Sequence, residues 1–225
     1  MTDGPILAID TATSDVVVAI GASNGDWIAG ESGPAGHRHG EQLLPAIDRV
    51  LDAAGVSRES LGGIVVGTGP GAFTGLRVGL ATAKALAHAL GRPLAGVPTS
   101  AALVAPTAAG AAAADVVLLL PAGPSDRVVV RAGGPPAIVP GGTEPELRAT
   151  DVVVAVDLPG RATGDAVARG TAAREGLGRE LLRLGSARLR DGGDDVATLV
   201  PEYVTLPRGV GPAAGGEVSW SRDHR

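Results

Sequence analysis

The chain has no cysteine, one Phe, one Tyr, two Trp and one Met, and a single lysine, Lys84, stands against eighteen arginines. Each scarcity excludes something. Without cysteine there is no disulfide framework, no thiolate nucleophile and no cysteine zinc site, which accords with a reducing compartment. With aromatics at 2% of the chain, a core must be built from Ala, Val, Leu and Ile, and a hydrophobic content of 44% is enough for one. No apolar run approaches the twenty residues of a membrane span. Residues 1–20 lack a basic stretch leading into a long apolar core, so no secretory leader is expected and the expected location is cytoplasmic. Positive charge is also short: the net charge is −5. Residues 1–105 carry nine acids and six bases, and residues 106–225 carry fifteen and thirteen. Neither half is suited to tight nucleic-acid binding on its own. The local exception is 161–190, with seven Arg against three acids, which reads as a solvated helix face or, alternatively, as a contact for RNA.

Glycine and proline are abundant, at 35 and 17 residues. They concentrate in Gly67-Thr68-Gly69-Pro70-Gly71-Ala72-Phe73-Thr74-Gly75-Leu76-Arg77. The apolar run Ile64-Val65-Val66 leads in and a helical pattern from Leu76 to Leu90 leads out, so the reading is strand, glycine-rich turn, helix. Thr74 can cap the new helix. A helix start after glycines attracts phosphate, but this loop has no Lys-Ser/Thr after its last glycine and no acid near position 95, so it matches neither common nucleotide fingerprint. The alternative is a tight turn that seats a helix closely on a sheet. Within the helix, Gly75, Gly79, Ala83 and Ala87 form a stripe of small residues beside Leu76, Leu80, Leu86 and Leu90. Such a stripe admits a close neighbour along the i±4 rows, either inside this chain or on a partner.

The rest of the first half reads in order. Pro5–Ile9 is a strand, residues 10–15 a polar turn and Val16–Ile20 a second strand. Asn24-Gly25 signals a two-residue hairpin turn into a third strand from Trp27. A helix from about residue 36 carries Leu43, Leu44, Ile47, Val50, Leu51 and Ala54 on one face, contains Pro45 early and stops at Gly55. Leu94–Val97 is a further strand, and Thr99 or Ser100 caps a short helix over 101–105. This order predicts a mixed sheet with helices on both faces. The second half partly repeats the plan, with strands at 116–120, 128–131, 137–139 and 152–156. A helical stretch over 171–189 follows, weakened by Gly176, Gly178 and Gly185. The expected organisation is a lobe over 1–106, a smaller divergent lobe over 107–206 that opens with a Thr/Ala/Gly link at 107–114, and a loose tail over 207–225.

The glycine-rich motif at 67–77 resembles the signature of the bacterial TsaB (YeaZ) family, as do Ile6-Leu7-Ala8-Ile9-Asp10-Thr11, His39-Gly40-Glu41-Gln42-Leu43-Leu44-Pro45 and Ala83-Lys84-Ala85-Leu86-Ala87. The resemblance spans about residues 5–105. It implies an α/β fold of two tandem ribonuclease H-like (actin-like) lobes, each a mixed sheet flanked by helices. It also implies a non-catalytic activator in making N6-threonylcarbamoyladenosine in tRNA, paired with the catalytic subunit TsaD and joined by the small ATPase TsaE. Alone, such a chain pairs with itself, and it meets tRNA only through the complex. The implied interface is carried by Leu43, Leu44, Ile47, Leu51, Gly75, Leu76, Gly79, Leu80, Ala83 and Lys84, while Gly67, Gly69, Pro70, Gly71, Phe73 and Thr74 form a structural loop.

Catalytic sets are hard to assemble. Asp10, with Thr11 and Thr13, ends the first strand where actin-like nucleotide enzymes place a metal- and phosphate-positioning acid. Its rival role is an Asx-turn. The matching place in the second half, Leu118-Leu119-Leu120-Pro121-Ala122-Gly123, has no acid and departs from the family's Asp-Ala-Arg-like run, which weakens ATP hydrolysis. No resident cofactor is expected beyond weak ATP or ADP binding. His37 and His39 are spaced i, i+2 and do not share a helix face. The Gly-x-Ser-x-Gly spacing at 21–25 falls on the Asn24-Gly25 hairpin turn, not between a strand and a helix, so no Ser sits in a nucleophile elbow, and there is no His-x-x-x-His pair. The competing reading is a stand-alone actin-like ATPase or sugar kinase built on Asp10 and the glycine loop. A third is a nucleotide sensor without turnover.

Overall fold

The computed structural model describes residues 4–36, 38–108, 115–131 and 134–204. The expectations for His37, for link residues 109–114 and for the tail 207–225 lie outside the described residues. Two mixed sheets form the frame. The first is built from β1 (Ile6–Asp10), β2 (Asp15–Gly21) and β3 (Trp27–Pro34) as an antiparallel meander, with β4 (Gly63–Gly67) and β5 (Leu94–Val97) added parallel to β1. Its strand order is β3-β2-β1-β4-β5. The helices α1 (His39–Ala54), α2 (Phe73–Leu90) and α3 (Thr99–Ala108) make or follow the crossovers. The second sheet has the order β8-β7-β6-β9, from β6 (Val116–Ala122), β7 (Asp126–Arg131), β8 (Ala137–Val139) and β9 (Val152–Ala155), with β9 parallel to β6. A long helix, α4 (Gly164–Arg190), completes the described fold.

Strand alternation sorts side chains into layers. On the first sheet Leu7, Ile9, Ile64 and Val66 face outward under α1 and α2, while Ile6, Ala8 and Val65 face inward. The inner face meets α3 and α4, which also carry the inner face of the second sheet through Leu118, Leu120 and Val154. Two sheets thus sandwich α3 and α4 around one core of Ala, Val, Leu and Ile, as the shortage of aromatics requires. The outer face of the second sheet holds a smaller cluster around Val117, Leu119, Val129 and Ala155. These features bear out the expected mixed α/β architecture.

Three local expectations need correction. The β2–β3 hairpin is not a two-residue turn: Ala22 and Asp26 still pair, through Ala22 N–H to the Asp26 carbonyl at 2.8 Å, so three residues lie between them. Gly25, at φ +92°, takes the left-handed position such a turn needs. Thr74 is not the cap of α2; Ala72 holds that place, and Thr74 lies exposed in the first turn. The glycines in the last helix do not interrupt it. α4 runs unbroken for 27 residues. A β-carbon at Gly170 would collide with the Ala155 carbonyl, and one at Gly185 with the Val65 side chain. There the glycines lose helix propensity but let the helix press against both sheets. Gly55 ends α1 at φ 64°, as its sequence position indicates.

Candidate functional site

The C-terminal edge of β1 and the glycine-rich loop meet beneath the start of α2. Asp10 is fully buried there. Its Oδ1 accepts the Ala12 N–H at 2.7 Å, closing an Asx-turn, and its Oδ2 accepts the Thr99 hydroxyl at 2.6 Å. Thr99 in turn accepts the Gly69 N–H at 3.0 Å, so a buried relay joins β1, the glycine loop and the first residue of α3. Gly67 presses on the same carboxylate; a β-carbon there would overlap it. Burial pushes the Asp10 carboxyl up to about 6, against the pull of the Thr99 and Ala12 hydrogen bonds. Thr11 is also buried and donates to the Gly75 carbonyl at 2.7 Å, while buried Thr13 accepts the Asp15 N–H at 3.3 Å. The three residues expected at a degenerate nucleotide site are therefore all engaged within the chain.

The glycine loop wraps this turn. The Ala72 N–H donates to the Ala12 carbonyl at 2.8 Å and the Thr68 N–H to the Val97 carbonyl at 2.9 Å. Gly71 is pressed against the Ala12 backbone so closely that a side chain has no room. Gly69 has φ +103°, which favours glycine, and precedes Pro70 through a cis bond. Phe73 projects from the first turn of α2 and packs on Tyr203, with ring centroids 5.0 Å apart. The Arg77 guanidinium lies 3.9 Å over Phe73, and its Nε donates to the Tyr203 hydroxyl at 3.0 Å. The lone Phe and lone Tyr thus meet on the surface, where Glu202 N–H also bonds the Thr68 carbonyl at 2.7 Å.

Of the ten residues expected at a partner interface, eight face inward. Leu43, Ile47 and Leu51 of α1 pack on the outer face of the first sheet. Gly75 and Gly79 lie against Thr11, and Leu76, Leu80 and Ala83 are buried. The small stripe is filled by the chain's own β1–β2 turn. Among the residues that α1 and α2 leave toward solvent are Leu44, at 55% exposure, and half-buried Val78, Thr82, Lys84 and Leu86. The two helices adjoin where Gly40 faces Val78.

A second cluster, which the sequence did not single out, lies between the sheets' ends. Asp157, just past β9 and at φ 56°, accepts the Ser14 N–H and hydroxyl, each at 2.7 Å, and an Arg174 N–H at 2.6 Å. Arg174 also stands 3.3 Å from Asp15. The position of Thr99 in the sequence marks it only as a helix cap; its role in the relay depends on a partner 89 positions away. Among the described residues no group of three or more His, Asp or Glu is placed to hold a metal, and no helix is long and apolar enough to cross a membrane.

Comparison with known proteins places this geometry. The family model described as TsaD, tRNA N6-adenosine threonylcarbamoyltransferase, matches residues 33–171. The chain is 35% identical over 94 residues to the tRNA threonylcarbamoyladenosine biosynthesis protein TsaB of Escherichia coli, covering 42% of this chain and 40% of that protein. It is 44% identical over 93 residues to an uncharacterized protein of Mycobacterium tuberculosis, where the match covers 41% of this chain and 44% of the other. The matched stretch thus spans less than half the length of these relatives. The solved structure of YeaZ from Pseudomonas aeruginosa superposes with a TM-score of 0.63 at 25% identity, covering 89% of this chain and 100% of that one.

Proposed function

Because the chain belongs to the family of the TsaD-type tRNA N6-adenosine threonylcarbamoyltransferases and their TsaB (YeaZ) relatives, we propose that it is a non-catalytic activating subunit. In this reading it supports formation of N6-threonylcarbamoyladenosine in tRNAs that read codons beginning with adenine. Its partner is a TsaD-type catalytic subunit, TsaE joins the pair, and tRNA is met only through the assembly. Without the partner the chain pairs with itself.

The observation that carries the reading is the state of Asp10. An acid that positions a metal or phosphate needs oxygens free to meet it, and both Asp10 oxygens are engaged inside a buried turn. The chemistry then belongs to another subunit. The contribution of this chain is a surface, and the outer ridge of α1 and α2 offers one: Leu44 stands exposed, and Val78, Thr82 and Leu86 are half-buried. A specific interface needs roughly 800 Å² per partner, and the reading requires the outer faces of both helices to take part. The docking expectation therefore shifts from the stripe to the ridge.

The test is co-purification with a TsaD-type subunit, followed by threonylcarbamoyl transfer to tRNA with and without this chain. Binding together with rescued transfer supports the proposal, and Leu44→Glu is expected to abolish both. ATP turnover by the isolated chain, lost in Asp10→Ala, would instead favour the actin-like ATPase reading.

A further inference from the structure

The outer face of the second sheet is covered differently from that of the first. Among the described residues no helix body lies along it; loop residues 141–147 and the first turn of α4 lean over it and leave a cavity of about 510 Å³. That volume is in the range of small-molecule sites. The floor is Leu119 and Val153, and Leu147 and Ala166 stand at the sides. One wall carries Arg127, whose side chain is only 9% exposed. Strand β7 continues from it as Val128-Val129-Val130 before Arg131, so the Arg127 side chain lies on the same sheet face as Val129.

The pairing of that cation is incomplete. Arg127 Nη2 donates to the Thr143 carbonyl at 2.6 Å and Nη1 to the Arg161 carbonyl at 3.2 Å. The carboxylate facing it belongs to Glu144, and the two groups meet fork to fork: Nη1 to Oε2 at 3.5 Å and Nη2 to Oε1 at 3.4 Å. A charge-assisted N–H···O bond settles at about 2.7–2.9 Å, so both contacts are loose. The Glu144 side chain is also 86% exposed. A buried guanidinium needs close pairing to offset the loss of water. A second guanidinium, Arg161, lines the same cavity and, among the described residues, donates to the Gly123 and Asp126 carbonyls, at 3.4 Å and 2.5 Å. The cavity thus has an apolar floor, two arginines and one weakly held carboxylate.

We propose that this cavity binds a small organic carboxylate with a short branched apolar part. The ligand's carboxylate takes the Arg127 fork in place of Glu144, and its hydrocarbon lies on Leu119, Val153 and Ala166. Glu144 is then an internal competitor that swings to solvent when the ligand enters. Inorganic phosphate would satisfy the arginines and leave the apolar floor empty, so it is the weaker occupant.

The full chain, labelled with ¹⁵N, is titrated separately with 4-methylpentanoate, 4-methylpentanamide and inorganic phosphate. Saturable shifts at Leu119, Arg127, Val153 and Ala166 are expected for the carboxylate at low-millimolar concentration, with the amide and phosphate at least about tenfold weaker. Glu144→Ala removes the competitor and is expected to tighten the carboxylate by about threefold or more, and Arg127→Gln to abolish its binding. Glu144 is exposed, so its variant carries the test even where Arg127→Gln fails to fold. Equal binding of acid and amide, phosphate binding as tight as the acid, absence of saturable shifts, or an unchanged or weakened affinity in Glu144→Ala would each overturn the proposal.

Discussion

Replacing Asp10 by Asn tests whether the buried carboxyl sits as described. The two side chains have nearly the same shape, so Ala12 N–H keeps its acceptor and the turn keeps its outline. What changes is titration. In the folded chain the Asp10 carboxyl is pushed to about 6, from 3.8 when free in water. A group whose folded pKa is raised favours folding when protonated, and that advantage is lost as pH rises through the folded value. Ionised Asp10 therefore costs about 3 kcal/mol above pH 7 relative to its protonated form, with most of the loss falling between about pH 4 and pH 6. Asn has no such dependence. Other carboxylates titrate in the same window, and Asp151, held below its usual range by the Arg131 guanidinium, acts in the opposite direction. They are common to both proteins and cancel in the difference. The assay is urea unfolding of both proteins across the pH range. The stability of Asp10→Asn minus that of the parent is expected to rise by about 2 kcal/mol from about pH 4.5 to pH 7, whatever its offset from the altered Thr99 contact. Parallel curves, with a constant difference across the range, would refute the argument: Asp10 would then reach water or be held ionised by something other than the relay.

The packing of α2 and α4 makes a paired prediction. Gly75→Ala drives a β-carbon into the Thr11 carbonyl and is expected to cost about 1–3 kcal/mol, whereas Gly176→Ala, which meets nothing within 4 Å, is expected to gain up to about 1 kcal/mol from helix propensity alone; thermal or urea unfolding reads both. Arg174→Met removes the cation shared by Asp157 and Asp15 and is expected to cost about 1–3 kcal/mol, because it leaves largely buried carboxylates without their partner. Arg183→Met loses only an exposed pair with Glu180 on the same helix and should change urea stability by less than about 0.5 kcal/mol. Leu44→Glu, at an exposed position, is expected to leave the melting temperature within about 2 °C of the parent while eliminating co-purification with a TsaD-type subunit; loss of stability instead would mean that Leu44 belongs to the core.

The frame was legible because its signals are local. Short apolar runs mark β1, β2 and β4, β-branched in the last two, an i, i+3/i+4 face marks α1, and Gly55 takes the left-handed cap that its position implies. The site was legible only as a list of residues, because its geometry joins positions far apart in the chain. Asp10 ends a strand in either role, and its part in the turn is decided by Thr99, 89 positions on, and by Gly67 pressing on its carboxylate. Small residues illustrate the same limit. The four-residue recurrence of Gly75, Gly79, Ala83 and Ala87 announces that something lies close to α2, but the pattern is the same whether that neighbour is a partner helix or the Thr11 backbone. In α4 the same signal points the other way. Gly178 and Gly185, like Gly176, lower helix propensity by about 1 kcal/mol each, which reads as a weakened segment; Gly178 meets Ala19 and Val17, and Gly185 meets Val65. The helix persists because those positions are where a sheet approaches, and the close contact they permit along its length outweighs the local cost. A glycine inside a helical pattern therefore carries two meanings, separated by what stands opposite it: Gly176, in the middle of the same helix, has nothing there, and its replacement should come without penalty.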